Sequence, residues 1–410
     1  MVSYLEGRAK VIEVICSRRC PPPPPTEYIE FIDDPSRALG RIVAENVAAD
    51  RNYPPFNRST RDGFAVRAAD VTGAGTKLRL IGESRAGVPF DGKVEPGTCV
   101  QIMTGAPLPR GANAVVMNED AHLDEDQVTF QHRVREGAHY VLEGQETRVG
   151  ESVIARGKKL TYAELAIASQ VGRSSLLVAK KPRVAILSTG DEVIAVDQPP
   201  KRFQIRNSNS ISLAAQVASA GGEPWMLGNV PDNLDELRAR IKEALNADIV
   251  ALTGGVSVGK YDLVEQVLRE LEAQFFFDSV AIRPGKPAVF CCCHNKPVFG
   301  LPGNPVSTMV TFELFVVPAI ELLSGHIPDP LPLFKAKLAH AVKEKPPLAH
   351  FLPARVTWPD GEPTVEAIHW EGSGDIGSVV KGNCFLVVQE SKLNFAAGEM
   401  ADVLPRRGSF

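Results

Sequence analysis

The chain has 410 residues, a length that exceeds a single hydrophobic core and predicts roughly two to four domains. Its apolar content of 44%, charged content of 23% and formal net charge of -4 are those of an ordinary soluble protein. They give no electrostatic reason to expect binding to nucleic acid or to a membrane. No apolar run reaches the ~20 residues that span a bilayer. The apolar stretch 11–15 is too short for a signal peptide and is followed by Arg18 and Arg19, so we expect a cytoplasmic protein.

The seven cysteines are an odd number in a long chain, which argues against a disulfide framework. Cys291, Cys292 and Cys293 form a consecutive run that suggests a metal site at first sight. Successive residues of a strand point to opposite faces, however, so three in a row cannot converge on one ion. The run therefore predicts a buried strand, and His294 behind it predicts a turn.

The first predicted element is a polyproline II segment from Pro21 to Pro25, which indicates a stiff linker, with an SH3-type ligand as the alternative. Short alternating strands separated by Gly and Pro then predict a small β-rich domain over 51–149. Its strands are expected at 78–81, 99–103, 114–117 and 128–132. A helix is expected at 161–169, and residues 26–50 and 150–180 are assigned to a discontinuous linking domain of helical and β structure.

Residues 181–327 show a different pattern, in which buried strands alternate with helices. Strands are expected at 183–187, 225–230, 248–252, 275–282, 288–293 and 297–300, and helices at 210–220, 234–245, 263–271 and 306–323. This alternation predicts βαβ units and a largely parallel, three-layer α/β sheet. Residues 328–410 return to short strands with turn residues, which predicts a small β-barrel or sandwich.

Two glycine-containing runs, 253–262 and 301–307, each lie between a predicted strand and a predicted helix. Glycine lets the backbone approach a ligand closely, and a helix N-terminus offers free N–H groups and positive potential to an anion. In a parallel sheet, ligands bind outside the carboxyl ends of the strands. The two runs therefore predict a phosphate or oxyanion site at that edge.

Acidic residues follow the same strand ends: Asp191, Glu192, Asp232 and Asp262. Carboxylates beside a phosphate site are compatible if a divalent cation such as Mg²⁺ bridges them. The cationic residues Arg283, Lys286 and Lys260 are candidates to neutralise the remaining negative charge. Asp232 and Asp262 also precede predicted helices, so each could instead be an N-cap.

Two loops of the β-rich domain, 54–65 and 101–109, are dense in turn formers around single polar residues. By themselves they indicate loops. Together with the other motifs, however, they resemble the molybdopterin molybdenumtransferase family, to which the E domain of gephyrin also belongs. The resemblance runs from about Arg37 to about Leu404. Its motifs are S-T-R-D-G-F-A at 59–65, I-M-T-G-A-P-L-P at 102–109, S-T-G-D-E at 188–192, G-G-V-S-V-G-K-Y-D at 254–262, R-P-G-K-P at 283–287, G-L-P-G-N-P-V-S at 300–307 and G-N-C-F at 382–385.

The resemblance implies an enzyme that inserts molybdenum from molybdate into adenylylated molybdopterin and releases AMP with the help of Mg²⁺. It implies an elongated homodimer of four-domain subunits, with an α/β domain of molybdopterin-binding type and a site between that domain and the small β domain of the other subunit. A molybdopterin adenylyltransferase is a candidate partner.

The resemblance also assigns site residues. The catalytic set is Asp62, Thr104, Glu192, Asp232 and Asp262, of which Asp62, Glu192 and Asp262 would bind the metal. The substrate-binding set is Gly254, Gly255, Ser257, Gly259, Arg283, Lys286, Pro302, Gly303, Asn304, Pro305, Ser307 and Ser378. No catalytic cysteine is required, because the dithiolene sulfurs belong to the substrate.

The chain departs from the family pattern at Ser279, at Gln145-Glu146 and at Pro353, where cations are frequent. The loss of a charge-assisted hydrogen bond costs ~1.5–3 kcal/mol, so we expect weaker binding of molybdate or adenylate than in a typical member. Three functions follow: an active insertase, a paralogue that binds molybdopterin or acts as a scaffold, and adenylyl transfer to molybdopterin. The complete flanking domains argue against the third.

Overall fold

The computed structural model of the chain describes residues 1–17, 25–255, 263–345 and 347–409. Of the predicted polyproline segment, only Pro25 lies within these residues. The chain forms two compact units, which we call the large unit (Met1–Glu45, Gly157–Thr161 and Ser175–Phe410) and the small unit (Asn46–Arg156 and Tyr162–Ser174). The four-domain division with boundaries at 51, 150, 181 and 328 stays a prediction.

The α-helices of the described residues are, in chain order, α1 (Tyr4–Cys16), α2 (Tyr162–Gln170), α3 (Ser208–Ser219), α4 (Leu234–Ala244), α5 (Leu263–Glu270), α6 (Pro305–Thr311), α7 (Val317–Leu323) and α8 (Ile376–Lys381). A π-helical segment, Phe312–Val316, joins α6 to α7.

The strands of four or more described residues are β1 (Thr26–Glu30), β2 (Gly63–Val66), β3 (Thr76–Ser84), β4 (Thr98–Ile102), β5 (Ala114–Met117), β6 (Ala121–Asp124), β7 (Gln127–Phe130), β8 (Ser175–Ala179), β9 (Arg183–Thr189), β10 (Glu223–Val230), β11 (Ile249–Thr253), β12 (Gln274–Phe277), β13 (Val289–Cys293), β14 (Lys296–Leu301), β15 (Phe334–Leu338), β16 (Ala349–Thr357), β17 (Thr364–Ala367), β18 (Cys384–Val388) and β19 (Met400–Pro405).

The large unit is built on a six-stranded sheet in the order β10-β9-β11-β14-β13-β12. The neighbours from β10 to β14 are parallel, as the βαβ pattern predicts. Leu213 of α3 and Val310 of α6 belong to the core on one face, while Leu237 of α4 and Val267 of α5 belong to the core on the other. Helices therefore cover both faces, and the predicted three-layer α/β architecture is confirmed.

The last two strands of this sheet are antiparallel, which the sequence pattern did not predict. A two-residue turn joins β13 to β14, with φ of 47° at His294 and 61° at Asn295. Positive φ at both central residues matches the twist of an antiparallel hairpin. Cys291 and Cys293 belong to the core on one face and Cys292 to the core on the other, so the predicted alternation of the cysteine run is confirmed.

The single strand predicted at 275–282 is wrong. The backbone leaves the sheet after β12, at Asp278 and Ser279, and the two-residue strand Ile282–Arg283 pairs instead with Ala349 and His350 of β16. Both parts are apolar and partly or fully buried, so composition alone could not show that they serve two different sheets.

The C-terminal region of the large unit is a closed barrel of five strands. Its order is β16-β17-β15-β19-β18, and pairing of β16 with β18 closes the circle. Closure leaves no exposed edge, and the apolar residues that alternate along the strands fill the interior. Of the two predicted alternatives, barrel and sandwich, the barrel is correct.

The small unit holds a six-stranded sheet in the order β5-β2-β4-β3-β7-β6. Gly63 begins β2 where a Cβ atom would lie 1.9 Å from the main-chain oxygen of Val116, so the strand pairing requires glycine there. The predicted β-rich domain is therefore present, with strands close to their predicted bounds.

The helix predicted at 306–323 runs from Pro305 to Leu323 and contains the π-helical segment. Among the described residues it is the helix long and apolar enough to cross a membrane, but 78% of that window is buried inside the protein. Its residues form the centre of the core between the sheet and α1. It therefore has the environment of a core helix.

Candidate anion-binding active site

The strand order of the large unit reverses at β9, because the chain passes from β9 to β10 on one side and then to β11 on the other. Ligands of such sheets bind in the crevice at this switch point, outside the carboxyl ends of the strands. A cavity of about 770 Å³ lies there, and we call it the switch-point cavity. Its lining includes Thr189, Gly190, Glu192, Asp232, Gly254, Gly255, Pro302, Gly303, Asn304 and Pro305.

Gly254 lines this cavity and lies very close to the main chain of Thr189. It has a φ of 89°, and a Cβ atom would lie 2.5 Å from the main-chain oxygen of Thr189. Thr189 Oγ1 is buried and has no hydrogen-bond partner among the described residues. The backbone at the ends of β9 and β11 is therefore packed too closely for any residue but glycine at position 254. The Thr189 Oγ1 atom lies beside it.

A second cavity of about 320 Å³ adjoins the first, and we call it the lysine cavity. Its lining includes Arg283, Gly285, Lys286, Ser307, Trp370 and Ser373. Pro287, Pro302 and Asn304 line both cavities, so the two share a wall. Nine of the sequence-predicted residues are thus brought together in two groups: Glu192, Asp232, Gly254, Gly255 and Gly303 in one cavity, with Pro305, and Arg283, Lys286 and Ser307 in the next.

The N-terminus of α6 forms part of the shared wall. Asn304 is the N-cap residue, but its side chain makes no capping bond to the helix. Instead its Nδ2 donates to Ser373 Oγ (2.8 Å), and the Val306 N–H donates to Ser373 O (3.0 Å). The start of the helix is therefore held by the loop at Ser373.

Ser373 was not predicted, although the Gly-Ser-Gly run at 372–374 was a signal for a functional loop. Ser378, which was predicted, is 1% exposed and lines neither cavity. Its hydroxyl donates to Asp375 O (2.7 Å) at the start of α8. In this structure the Ser378 hydroxyl supports a helix end, whereas Ser373 lines the lysine cavity together with Ser307.

Asn209 of α3 is a further residue that the sequence analysis missed. Its Nδ2 donates to Thr253 Oγ1 (2.9 Å) and to Gly303 O (2.7 Å), which ties the ends of β11 and β14 together. Its Oδ1 is buried without a partner among the described residues. Two asparagines in the run 206–209, directly before a helix, were the available signal.

The carboxylates at the switch-point cavity repel one another. Asp191 Oδ1 accepts a hydrogen bond from the Asp232 main-chain N–H (3.0 Å). Partial burial, followed by the charges of Asp191 and Glu192, raises the pKa of Asp232. Such a cluster of hard oxygen donors favours a divalent cation.

Asp232 is not the N-cap of α4. Asn233 takes that role, and its Oδ1 accepts from the N–H groups of Asp235 and Glu236, both at 3.0 Å. The capping interpretation of Asp232 is therefore wrong. For Asp262 both interpretations stay open, because Asp262 lies outside the described residues, as do Ser257, Gly259 and Lys260.

The described residues contain no group of three or more His, Cys, Asp or Glu side chains arranged to hold a metal ion. The donor types at Glu192, Asp191 and Asp232 suit Mg²⁺, but their convergence on one ion is not shown. Magnesium binding stays a prediction.

The small unit brings Asp62 and Thr104 together, although they lie on separate loops. The Thr104 N–H donates to Asp62 Oδ1 (2.7 Å), and the Gly105 N–H donates to Ser59 O (2.9 Å). Both Asp62 and Thr104 are exposed. The two loop motifs therefore form one exposed polar site rather than two unrelated turns.

The three departures from the family pattern lie outside both cavities. Ser279 Oγ donates to Asp278 Oδ1 (2.9 Å), and Pro353 is buried in β16 of the barrel. In the small unit, Glu146 forms an ion pair with Arg58 (2.9 Å). The cations that line the lysine cavity, Arg283 and Lys286, are retained.

A three-layer α/β sheet with a glycine-lined cavity at its switch point, in one unit with a closed five-stranded barrel, defines a multidomain α/β protein. Three family models match the chain: MoeA N-terminal region (domain I and II) over residues 8–172, probable molybdopterin binding domain over 185–322, and MoeA C-terminal region (domain IV) over 335–405.

Curated relatives and solved structures agree. Molybdopterin molybdenumtransferase of Staphylococcus aureus (strain Mu50) is 32% identical over 373 residues, 90% of this chain and 89% of the relative. The enzyme of the same name from Bacillus subtilis (strain 168) is 32% identical over 389 residues, covering 92% and 89%. Two structures of molybdopterin biosynthesis MoeA protein from Pyrococcus horikoshii match with TM-scores of 0.76 and 0.81, at 30% and 26% identity. They cover 99% of this chain and 99% and 100% of theirs.

The chain belongs to the molybdopterin molybdenumtransferase (MoeA) family. It is a transferase of molybdenum cofactor biosynthesis. The family resemblance and the enzyme class predicted from the sequence motifs are confirmed.

Proposed function

We propose that this protein inserts molybdenum from molybdate into adenylylated molybdopterin, with release of AMP and formation of molybdenum cofactor. The observation that supports this reaction is the shared wall of the two cavities at Pro287, Pro302 and Asn304. The reaction needs two anionic reactants side by side. Two adjoining cavities with different linings offer one place for each.

The adenylylated molybdopterin belongs in the switch-point cavity. Its volume of about 770 Å³ lies within the ~300–1,000 Å³ typical of small-molecule sites. Main-chain groups at Gly254, Gly255 and Gly303 can approach phosphate oxygens closely because no side chain intervenes. Asn209 Oδ1 and Thr189 Oγ1 add polar atoms without partners among the described residues, which suit the polar edges of a pterin or ribose.

Molybdate belongs in the lysine cavity, which is smaller and cationic. Arg283 and Lys286 neutralise the dianion, and Ser307 lies beside them in the same wall. A molybdate oxygen or a water molecule then attacks the adenylate phosphorus. The bond from this phosphorus to the phosphate oxygen of molybdopterin breaks, and AMP leaves with the attacking oxygen, whose Mo–O bond also breaks when molybdate is the nucleophile. The two dithiolene sulfurs bond to molybdenum, and their two protons leave with one oxygen of molybdate as water.

Carboxylates of the large unit keep a divalent cation near the phosphates in this proposal. Glu192 and Asp232 line the switch-point cavity, and Asp262 follows the glycine run outside the described residues. Mg²⁺, when bound, supplies positive charge that neutralises phosphate and carboxylate together. The resemblance assigns Asp62 to the metal and Thr104 to catalysis, and these roles stay predictions, as do the homodimer, the adenylyltransferase partner and the cytoplasmic location.

The test is AMP release from adenylylated molybdopterin, measured with and without molybdate and Mg²⁺. We expect release that requires both. Lys286→Gln removes a charge-assisted bond to molybdate, so we expect the apparent molybdate affinity to fall about ten- to a hundred-fold. Lys335→Gln, at an exposed ion pair with Asp402 in the barrel, is the matched control and should change nothing.

Asp62→Ala gives the second arm of the experiment. We expect it to abolish release while leaving substrate binding to the large unit measurable. Tight substrate binding without any AMP release by the unaltered protein would contradict the proposal and favour a molybdopterin-binding scaffold. Unchanged release in Asp62→Ala would remove Asp62 from the reaction.

A further inference from the structure

The large unit has another cavity, of about 250 Å³, at the opposite end of β9 from the switch-point cavity. We call it the arginine cavity. Lys180 and Lys181, just before β9, and Arg8 of α1 line it, together with Arg406 and Arg407 after β19. Thr189 at the other end of β9 lines the switch-point cavity. A strand rises ~3.3 Å per residue, so the seven residues of β9 place the two cavities about 20 Å apart.

Positive charge predominates in its lining. Seven of the lining residues are lysine or arginine, and three are aspartate or glutamate. Two of the three acids already have a partner, because Arg407 pairs with both Glu313 and Glu321, each at 3.1 Å. The third, Asp329, has a side chain that is 85% exposed and faces His326. Little negative charge is left for the remaining cations.

Arg8 is the first of two guanidinium groups in this lining that lack a carboxylate partner, and it is buried, whereas Arg406 is half-buried with a buried Nε. It is 8% exposed, and its two Nη atoms donate to main-chain carbonyls, Leu314 O (3.4 Å) and Asp329 O (2.8 Å). Burial is the main cause that lowers the pKa of Arg8, and the charge of Arg407 lowers it further, while the charges of Glu321 and Glu313 act in the opposite direction. Arginine keeps its charge in proteins, so this charge needs compensation.

Arg406 is the second such group. Its Nη2 donates to Gly382 O (2.6 Å), while its Nε is buried and has no hydrogen-bond partner among the described residues. Burial lowers its pKa as well. A buried donor without a partner costs stability unless a water molecule or an ion satisfies it. Two guanidinium groups and two lysines at one cavity therefore lack a common counter-charge.

We propose that the arginine cavity is a second anion site, which binds a phosphate dianion through Arg8, Arg406, Lys180 and Lys181. Guanidinium groups match the geometry of phosphate oxygens, and exposed lysines at the entrance attract the anion. The cavity is larger than a phosphate ion, so the ligand is either free phosphate or the phosphate group of a small phosphomonoester. This site is separate from the reacting centre proposed above and does not depend on that function.

Calorimetric titration of the full chain with inorganic phosphate at constant ionic strength tests this site. The titration is done in a Lys286→Gln background, which weakens anion binding in the lysine cavity. We expect one phosphate per chain to bind in the arginine cavity in that background, distinguished from any phosphate in the switch-point cavity by its sensitivity to the variants below. Adding Arg406→Gln should weaken binding about tenfold or more, because one charge-assisted hydrogen bond is lost. Adding Arg240→Gln, at an exposed pair with Glu243 on α4, is the matched control and should leave the affinity unchanged.

The double variant Lys180→Gln, Lys181→Gln changes only exposed residues, so it keeps the test valid if Arg406→Gln unfolds the protein. We expect it to weaken phosphate binding and to reduce the rise in Tm that phosphate causes. Phenyl phosphate, titrated in parallel, distinguishes the sources: tighter binding than phosphate identifies a phosphomonoester, and equal binding identifies the free anion. The proposal is overturned if phosphate does not bind in the Lys286→Gln background, or if the lysine and arginine variants bind it as well as the control does.

Discussion

The ionised side chain of Asp232 lowers the stability of the fold, at a position where a catalytic role is predicted. It lies beside Asp191 and Glu192, and burial together with these charges raises its pKa. A folded-state pKa above that of the unfolded chain means that the ionised carboxylate is less stable in the fold. Strained electrostatics of this kind are typical of functional sites.

We therefore expect Asp232→Asn to raise the free energy of unfolding at pH 7, by less than about 1 kcal/mol because the site is exposed. The gain should shrink as the pH falls through the raised pKa of Asp232, since the wild-type carboxylate is then neutral as well. Chemical denaturation at several pH values measures this. The exposed Asp197→Asn is the control, and a gain that does not depend on pH would contradict the electrostatic explanation.

The buried cysteines of the described residues have a structural role. Burial raises the pKa of Cys99 and Cys384 to about 12 and that of Cys293 to about 11. Thiols react as thiolates, so these side chains should be inert in the native protein. We expect brief treatment with iodoacetamide to label Cys16, which is exposed, and to leave Cys99, Cys293 and Cys384 unlabelled until denaturant is added. Mass spectrometry of the labelled peptides measures this. Labelling of Cys293 in the native protein would contradict the prediction and show that β13 becomes accessible to solvent.

At the scale of elements, the important feature is the close approach of Gly254, after β11, to Thr189 at the end of β9. Gly254 and Gly221 have the same φ of 89°, but their surroundings differ. A Cβ atom at Gly254 would lie 2.5 Å from a main-chain oxygen, whereas one at Gly221, at the end of α3, would have nothing within 4 Å. Alanine variants at these two glycines therefore distinguish two losses of stability: the one caused by a positive φ and the one caused by steric contact.

We expect Gly221→Ala to lower stability by ~1–2 kcal/mol through its positive φ alone. Gly254→Ala should cost clearly more and should also abolish substrate binding, because the strand ends must separate. Denaturant unfolding and binding measurements on both variants check this. If the two alanine variants bind substrate equally well, the close approach at Thr189 is not needed for the site.

Two compact units with separate cores suggest, at the scale of the whole molecule, that unfolding is not a single transition. Phe130 is 0% exposed in the core of the small unit, and Phe290 is 0% exposed in the core of the large unit. Truncation of a buried phenylalanine typically costs ~3–5 kcal/mol. We expect calorimetry to resolve two unfolding transitions. Phe130→Ala should lower the Tm of the transition of the small unit, and Phe290→Ala should lower the Tm of the transition of the large unit. A common shift of both transitions would show that the units unfold together.

The sequence determined much of this protein by itself, because some information is local. The βαβ pattern predicted the parallel strands β9, β10, β11 and β14, since strand and helix periods differ. The glycine runs predicted an anion site at the carboxyl ends of these strands, where the switch-point cavity lies, and its anion binding stays a prediction. The ordered motifs identified the family over nearly the whole chain.

The tertiary structure decided what depends on contacts between distant residues. Apolar strands do not show their partners, so the split of 275–282 between two sheets could not be foreseen. The barrel over 328–410 was predicted, but only the strand pairing decided between a barrel and a sandwich. Helix caps depend on the direction of a side chain. For this reason only the structure shows that Asn233, and not Asp232, is the N-cap of α4. Ser373, Asn209 and the arginine cavity became visible only once segments far apart in the chain were brought together, because hydrogen bonding and burial are properties of the fold and not of a residue type.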